Sequence, residues 1–294
     1  LVVLTTDDWQ LRFMSLPDFL VIGHITKDVV PEGYTVGGTV TYSSITARNL
    51  GRRTAILTAA DPEFEPGPLL DGITLLRLPS TATTTFQNLY PDGYRVQYLR
   101  ARAASISSAA LPADWLKVPI IHLGPLTQEL PPDIGTCFPR ALIGVTPQGW
   151  MRQWDGDGRV RPTPWLHAAE VMASAEVLVF SREDVAGDED LIEQYARLAR
   201  IMVVTEARRG ATLYYRGERR RFPAFVAREV DPTGAGDVFA AAFLIRLHET
   251  HDPAEATHFA NCVASFCVEA PGVTGIPTRA QVEDRLRSGR MWES

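Results

Sequence analysis

The residues best suited to chemistry form one short run, DPTGAGD at positions 231–237. Gly234 and Gly236 let the backbone turn tightly and let a ligand approach the peptide plane. An apolar run from Val238 follows, so a helix is expected to start here. The unpaired N–H groups of Gly234, Ala235 and Gly236 would then point at one spot, reinforced by the positive end of the helix dipole. Such a spot suits a phosphoryl group. Asp237 stands at the same helix start. A carboxylate beside an anion site repels the phosphate it neighbours, and its natural role there is to take the proton of an attacking hydroxyl. The plainer reading is an aspartate that caps its helix after a glycine turn.

The elements around this run must hold it in place. Before it, Phe225–Val230 reads as extended; after it, Val238–Leu247 is apolar nearly all round and should be a buried helix. The next helix opens at Asp252-Pro253-Ala254-Glu255, with Asp252 as N-cap and Pro253 in the first turn. Ala256, Phe259, Val263 and Phe266 recur at helical spacing as its core face. Towards the N-terminus, Phe19–Gly23 is an apolar strand, an extended segment runs to Tyr34, and Gly37-Gly38 opens a helix to about Leu50. Thr54–Thr58, Ile73–Leu78, Pro119–Leu123, Ala141–Val145, Val177–Phe180 and Ile201–Thr205 read as strands, and Glu189–Arg200 as an amphipathic helix. Apolar strands alternating with helices predict a mostly parallel sheet covered on both faces. Residues 81–100 differ: apolar and polar residues alternate on both sides of Pro91-Asp92-Gly93, a hairpin turn. One covered and one wet face suit a small sheet beside the main body.

With 294 residues the chain could be one large α/β domain or two small ones, and 45% hydrophobic with 22% charged residues suits a globular chain able to bury a core. A net charge of −6 argues against a nucleic-acid partner. No stretch offers the ~18–20 uninterrupted apolar residues of a membrane span. The first residues lack the pattern of a secretory signal; Met14-Ser15-Leu16 is an alternative start, with 1–13 as an extension. Cys137, Cys262 and Cys267 are too few for a disulfide framework and suit a reducing cytoplasm. No histidine spacing matches a metal motif, and His251 and His258 read as ordinary residues. A dinucleotide oxidoreductase is disfavoured, because no G-x-G-x-x-G follows the first strand.

DPTGAGD followed by an apolar helix resembles the C-terminal signature of the ribokinase family, the carbohydrate kinases related to phosphofructokinase B. Chance agreement at six specified positions is on the order of 10⁻⁷ per site. The order of elements agrees over roughly residues 19–285. The resemblance implies a single domain over 1–294, its core from about residue 17: a three-layer α/β sandwich, with a mostly parallel sheet, helices on both faces and a small β lid from about 28–38 and 80–102. It implies ATP-dependent phosphotransfer to a hydroxyl of a small sugar or polyol, with ATP, Mg²⁺ and K⁺ as cofactors and Asp237 as base beside the Gly234–Gly236 anion hole. Asp28, closing GHITKD, matches the substrate-binding aspartate, and Gly37 and Gly38 the glycine pair at the sugar. Thr205 and Gly210, in TEARRGA, match the nucleotide loop. Asn261 and the loop Glu269–Ile276 match the adenine wall, and Asp231 with that late loop the monovalent-cation site. The lid sheet of a second subunit would meet this one in a homodimer. Taken singly, Asp28 could be a solvated turn residue, the glycine pair a plain strand–helix turn, and the hairpin an edge sheet.

The family pattern also breaks in places. Where Asn-x-x-Glu orders magnesium and phosphates, Ser181-Arg-Glu-Asp184 stands here. Ser181 falls on the ATP side and Asp184 would hold magnesium through water, with Glu183 as competitor. Ala207 replaces a usual glycine. In GGTVTY, Thr39 stands where lysine is frequent and Tyr42 where an asparagine bonds the sugar; an aromatic there suits a ring face. Thr26 likewise replaces an amide. TPQGWMR, residues 146–152, is similar to the QG-x-x-R loop of the inositol-kinase-like branch, which points to a cyclic polyol such as myo-inositol, whereas Trp150 and Trp154 could be plain loop packing. Two alternatives remain. One is a nucleoside kinase of the same fold, with Tyr42 and Phe86 sandwiching a base. The other is a non-catalytic relative that senses a sugar or nucleotide, supported by the altered magnesium motif and opposed by Asp237.

Overall fold

The computed structural model describes residues 2–4 by their backbone, together with residues 16–89, 91 and 96–292. Met14, Ser15 and the Asp92-Gly93 part of the expected turn lie outside the described residues. The N-terminal half contains β1 (Val2–Leu4), β2 (Phe19–Ile22), β3 (Thr26–Val30), β4 (Gly33–Gly37), α1 (Thr39–Asn49), β5 (Thr54–Ala60) and β6 (Thr74–Pro79). Then follow β7 (Thr84–Leu89), β8 (Val96–Ala101), β9 (Ile120–Leu123), β10 (Leu142–Val145), β11 (Arg152–Trp154), β12 (Val160–Pro162) and α2 (Ala168–Ser174). The remainder holds β13 (Val177–Ser181), α3 (Glu189–Leu198), β14 (Ile201–Thr205), β15 (Ala211–Tyr215), β16 (Glu218–Phe222), α4 (Ala235–Thr250), α5 (Pro253–Cys267) and α6 (Arg279–Ser288).

The main sheet runs β1-β6-β5-β2-β9-β10-β13-β14-β15-β16. Every pairing from β1 through β14 is parallel, and β15 and β16 close the far side antiparallel. Alternation along the central strands produces the three layers. Phe19 and Val21 of β2, Val177 and Val179 of β13, and Ile201 and Val203 of β14 enter one core with α1, α4 and α5. Leu20 and Ile22, Leu178 and Phe180, and Met202 and Val204 enter the opposite core with α2 and α3. A strand covered on both sides needs apolar residues at every position, and these have them. Among the described residues, no helix is long and apolar enough to cross a membrane.

A second sheet, ordered β4-β3-β7-β8, stands apart from the first. Its own core is small: Phe86, Leu99 and Leu126, with Trp154 and Val160 against them. At the root of this sheet His24 and Glu129 are fully buried. The Glu129 carboxylate accepts the backbone N–H groups of His24 (2.9 Å), Leu126 (2.9 Å) and Thr127 (2.6 Å). His24 Nε2 donates to the Ala104 carbonyl (2.9 Å), and Nδ1 meets the Thr84 hydroxyl (2.8 Å). Burial alone would raise the Glu129 pKa; His24 and the backbone donors outweigh it and hold it below the ordinary glutamate range.

Several local expectations need correction. Phe225–Val230 is not a strand: Phe225 makes a single bridge to Met291, and the segment lies against the last residues instead. The hairpin β15–β16 was not expected. Its turn is Arg216-Gly217, with φ of 53° and 78°, the two positive values a tight hairpin requires. Helix α3 ends at Leu198, two residues early. The cap of α5 is as expected, with Asp252 Oδ1 accepting from Ala254 N (2.8 Å) and Glu255 N (3.2 Å).

Candidate active site

Beyond β2 the chain builds β5 and β6 on one side; from β9 onward it builds the other. Between β2 and β9 the direction of growth reverses, and a crevice opens there at the strands' carboxyl ends. Gly23 and Gly124 follow these strands. A β-carbon on Gly23 would overlap the Gly124 carbonyl, and one on Gly124 would overlap the Thr39 side chain. Only glycine lets α1 begin on top of the crevice. Gly38, its N-cap, has φ 89° and ψ 154°, and a β-carbon there would meet the His24 carbonyl oxygen at 2.6 Å. Helix α1 is rich in threonine and serine yet buried. Its hydroxyls return to its own turns: Thr41 to Gly37 O (2.6 Å) and Thr46 to Tyr42 O (2.8 Å).

Helix α4 supplies the opposite wall. Gly234, its N-cap, is left-handed at φ 76°, and a β-carbon there would run into the Tyr42 ring. A β-carbon on Gly236 would meet nothing within 4 Å. The amide of Ala235, expected to be free, is donated to Pro232 O at 3.2 Å, closing the turn. Among the described residues the N–H groups of Gly234, Gly236 and Asp237 have no hydrogen-bond partner, so the open anion site is built from these three. Ser43 Oγ donates to Asp237 O (3.3 Å) and ties α1 to this turn.

Asp237 keeps an exposed edge, while its carboxyl lies deep in the crevice. Burial pushes its pKa up to about 6; the Thr39 hydroxyl and Arg152 oppose the rise, and Asp184 adds to it. Thr39, Arg152 and Asp184 therefore all converge on this carboxylate. Asp184 belongs to a capping box with Ser181: its Oδ2 accepts Ser181 N (2.9 Å), and its Oδ1 accepts Gln148 Nε2 (2.9 Å). Asp231 Oδ1 accepts Thr233 N (2.9 Å) and Oδ2 accepts Gly272 N (2.8 Å), stitching the glycine turn to the late loop. Among the described residues no three acidic, histidine or cysteine side chains form a metal cage. Asp184 and Asp231 are each engaged on both oxygens by N–H donors, which leaves each carboxylate its remaining lone pairs for a cation held through water.

The substrate-side residues divide. Asp28 lies within β3 rather than on the loop leaving β2, paired with Thr35 and with Phe86. That register puts it on the sheet face that carries the buried Phe86, against Gly37, whose missing side chain leaves it room. Tyr42 is 5% exposed with its ring against Gly234, so the expected open stacking face is not there; the ring instead supports the phosphate turn. Burial, then Cys267, Asp231, Asp28 and Asp237, raise its phenol above the ordinary tyrosine range.

A cleft of about 710 Å³, where the resemblance put the nucleotide, is lined by Ser181, Thr205 and the loop 206–209. Gly210, which follows the lining loop, has φ 91°, and a β-carbon there would overlap Phe222 O. Ala207 has φ 50°, a left-handed backbone that explains why glycine would be the easier residue. Asn261 does not line this cleft. It is buried, and its amide donates to Phe222 O (3.2 Å) and Pro223 O (3.3 Å), so it holds the wall in place. Gln148 and Arg152, which the sequence offered only as parts of a loop that pointed to a cyclic polyol, make contacts of their own with Asp184 and Asp237. The QG-x-x-R spacing was the available signal.

Residues 167–279 match the model for the pfkB family of carbohydrate kinases. Two relatives with assigned activities are the ribokinase of Bacillus subtilis, 40% identical over 86 residues, and the inositol 3-kinase of Arabidopsis thaliana, 35% identical over 81. These alignments cover 29% and 28% of this chain and only 29% and 23% of those proteins. The fold extends further. A pyrophosphate-dependent kinase of the ribokinase family, complexed with a pyrophosphate analog and myo-inositol, superposes with a TM-score of 0.76 at 24% identity, covering 90% of this chain and 99% of the other. The matched segment thus sits in a ribokinase-like sandwich.

Proposed function

We propose that the protein transfers the γ-phosphoryl group of ATP to a hydroxyl of a small sugar or polyol, with a cyclic polyol such as myo-inositol as the favoured acceptor. The observation that carries this reading is Asp237, a carboxylate with a pKa of about 6, beside the free amides of a left-handed glycine turn at the sheet's switch point. At neutral pH it is ionised and accepts the acceptor's hydroxyl proton as that oxygen attacks the γ-phosphorus. The bond to the bridging oxygen breaks and ADP leaves. The amides of Gly234 and Gly236, with Arg152, face the charge on the transferring group. Asp28 accepts hydrogen bonds from acceptor hydroxyls, and Gly37 and Gly38 leave room for the acceptor beside the backbone. Ser181 and Thr205 contact the donor. Magnesium, held through water by Asp184, would neutralise phosphate charge, and a monovalent cation would sit near Asp231.

The polyol preference rests on Gln148 and Arg152 at the site and on the myo-inositol in the similar structure. The nucleoside reading weakens, because Tyr42 lies against Gly234 and Phe86 is 4% exposed in its own cluster, leaving no pair of open rings. Exposed Val29, Tyr34 and Leu89 on the small sheet fit a homodimer through that sheet. A screen of hexoses, pentoses, inositols and nucleosides, read by ADP release and by identifying the product, tests the whole. An inositol phosphate as the main product is expected. A nucleoside monophosphate would overturn the acceptor class, and no phosphorylated product from any compound would support the sensing alternative.

A further inference from the structure

The donor cleft opens into a second one of about 370 Å³, and the two share Arg182, Glu206 and Arg209. Among the described residues no aromatic or branched aliphatic side chain lines either. A purine is usually held between apolar or aromatic faces, and this wall offers none. It offers guanidinium groups instead. Arg182 is neutralised by Glu189 and Glu206, and Arg208 by Glu229. Arg209, Arg219 and Arg221 form no salt bridge among the described residues. Arg219 and Arg221 pair with Tyr214 and Thr212, which puts both on one face of the β15–β16 hairpin, and both join Arg182 and Arg209 around the second cleft, which Glu189 and Glu206 also line. Charged residues on an edge strand also discourage strand pairing. That need says nothing about which face they occupy, whereas three cations gathered around one cleft match a chain of phosphates. The lining of the donor cleft includes Ser181–Glu183, next in the chain to Asp184, whose charge reaches Asp237.

We propose that this cleft also accepts an inorganic polyphosphate as phosphoryl donor, its terminal phosphoryl at the Gly234–Asp237 turn and its tail on Arg209, Arg219 and Arg221. The inference rests on the phosphotransfer reading of the same site. The acceptor oxygen bonds to the terminal phosphorus, the bridging P–O bond breaks, and the hydroxyl proton passes to Asp237. Orthophosphate leaves when the donor is pyrophosphate, and pyrophosphate leaves when it is tripolyphosphate.

The test uses the full chain with its best acceptor and, in separate reactions, ATP, pyrophosphate and tripolyphosphate, following the phosphorylated acceptor directly. Turnover is expected with ATP and with at least one inorganic donor, tripolyphosphate ahead of pyrophosphate because its tail reaches further. The double variant Arg219→Ala/Arg221→Ala should lower the ratio of kcat/KM for tripolyphosphate to that for ATP at least tenfold. Both residues lie on an exposed edge strand, so the variant should fold, and its melting curve verifies this. Product from ATP but none from either inorganic donor overturns the proposal and leaves the phosphotransfer reading intact. An unchanged ratio in the folded double variant overturns the assigned arginine site. Failure with all three donors sinks the underlying reading instead.

Discussion

The glycine turn of α4 and the small sheet β4-β3-β7-β8 face the same crevice but are built on different principles. The turn leads into a helix buried along most of its length, wedged by Tyr42 and fastened to α1 and to the late loop. Of the large apolar side chains on its own strands the small sheet buries Phe86 and Leu99; it leaves Val29, Tyr34 and Leu89 exposed, and it joins the core through the polar contacts of His24 and Glu129. On the proposed function, the group that must meet a phosphorus atom at fixed distance stands on the rigid element. The residues that would choose and enclose the acceptor stand on the element that can move at low cost.

The largest effect that would sharpen this contrast is expected at Asp237. Asp237→Asn should cost roughly 10²–10⁴-fold in turnover, the usual worth of a positioned base, and leave donor binding in place. Its folding stability should rise. The native pKa of about 6 lies above the ordinary 3.8, so the folded state holds the proton more tightly than the unfolded one. The penalty for ionising it is absent well below pH 4, grows between about 4 and 6, and is complete above 6. The variant should therefore gain stability at pH 8, on the order of 1–3 kcal/mol after allowing for solvent screening, and lose that advantage towards pH 4. Equal melting temperatures at pH 8 would contradict the buried-charge account.

Next in size is the contrast between two glycines. Gly234→Ala meets a left-handed backbone and the Tyr42 ring, and urea unfolding should show a loss of about 2–5 kcal/mol. Gly236→Ala should stay within about 1 kcal/mol of wild type, since its β-carbon meets open space, yet lower turnover because that space is where the phosphoryl group must sit. Equal destabilisation by the two would break the picture of a wedged turn. On the other wall, Asp28→Ala should weaken acceptor binding by about 1.5–3 kcal/mol across every acceptor tested, the worth of a charged hydrogen-bond acceptor. Calorimetry that shows one acceptor unaffected would remove Asp28 from the common site. The smallest signal belongs to the small sheet itself: hydrogen exchange in 84–89 and 96–101 should slow when acceptor binds, while α4 changes little. Unchanged exchange at saturation would make that sheet a fixed edge.

Much of this was legible in the sequence because local rules fixed it. The glycines of DPTGAGD announced a tight turn before a helix, Asp252 announced its cap, and the apolar strands announced a sheet covered on both faces. What failed depended on partners far along the chain. Tyr42 is buried because α1 packs beneath Gly234, and no spacing near residue 42 encodes that contact. Asn261 turns to Phe222 and Pro223, carbonyls at the end of a hairpin the sequence reading overlooked, although Arg216-Gly217 between alternating residues was its signal. Ala235 spends its amide on Pro232, a detail of turn geometry that motif reading cannot supply.

The central claim is that Asp237, tuned by its surroundings, is the base of a phosphotransfer reaction. The pH dependence of kcat/KM for the preferred acceptor, with ATP and magnesium saturating, tests it most directly. The account predicts a plateau above pH 7 and a decline below it, with an apparent pKa near 6 and a limit of tenfold per pH unit, and no such limb in the residual activity of Asp237→Asn. A wild-type profile flat down to pH 4.5, or the same acidic limb in Asp237→Asn, would show that another group takes the proton.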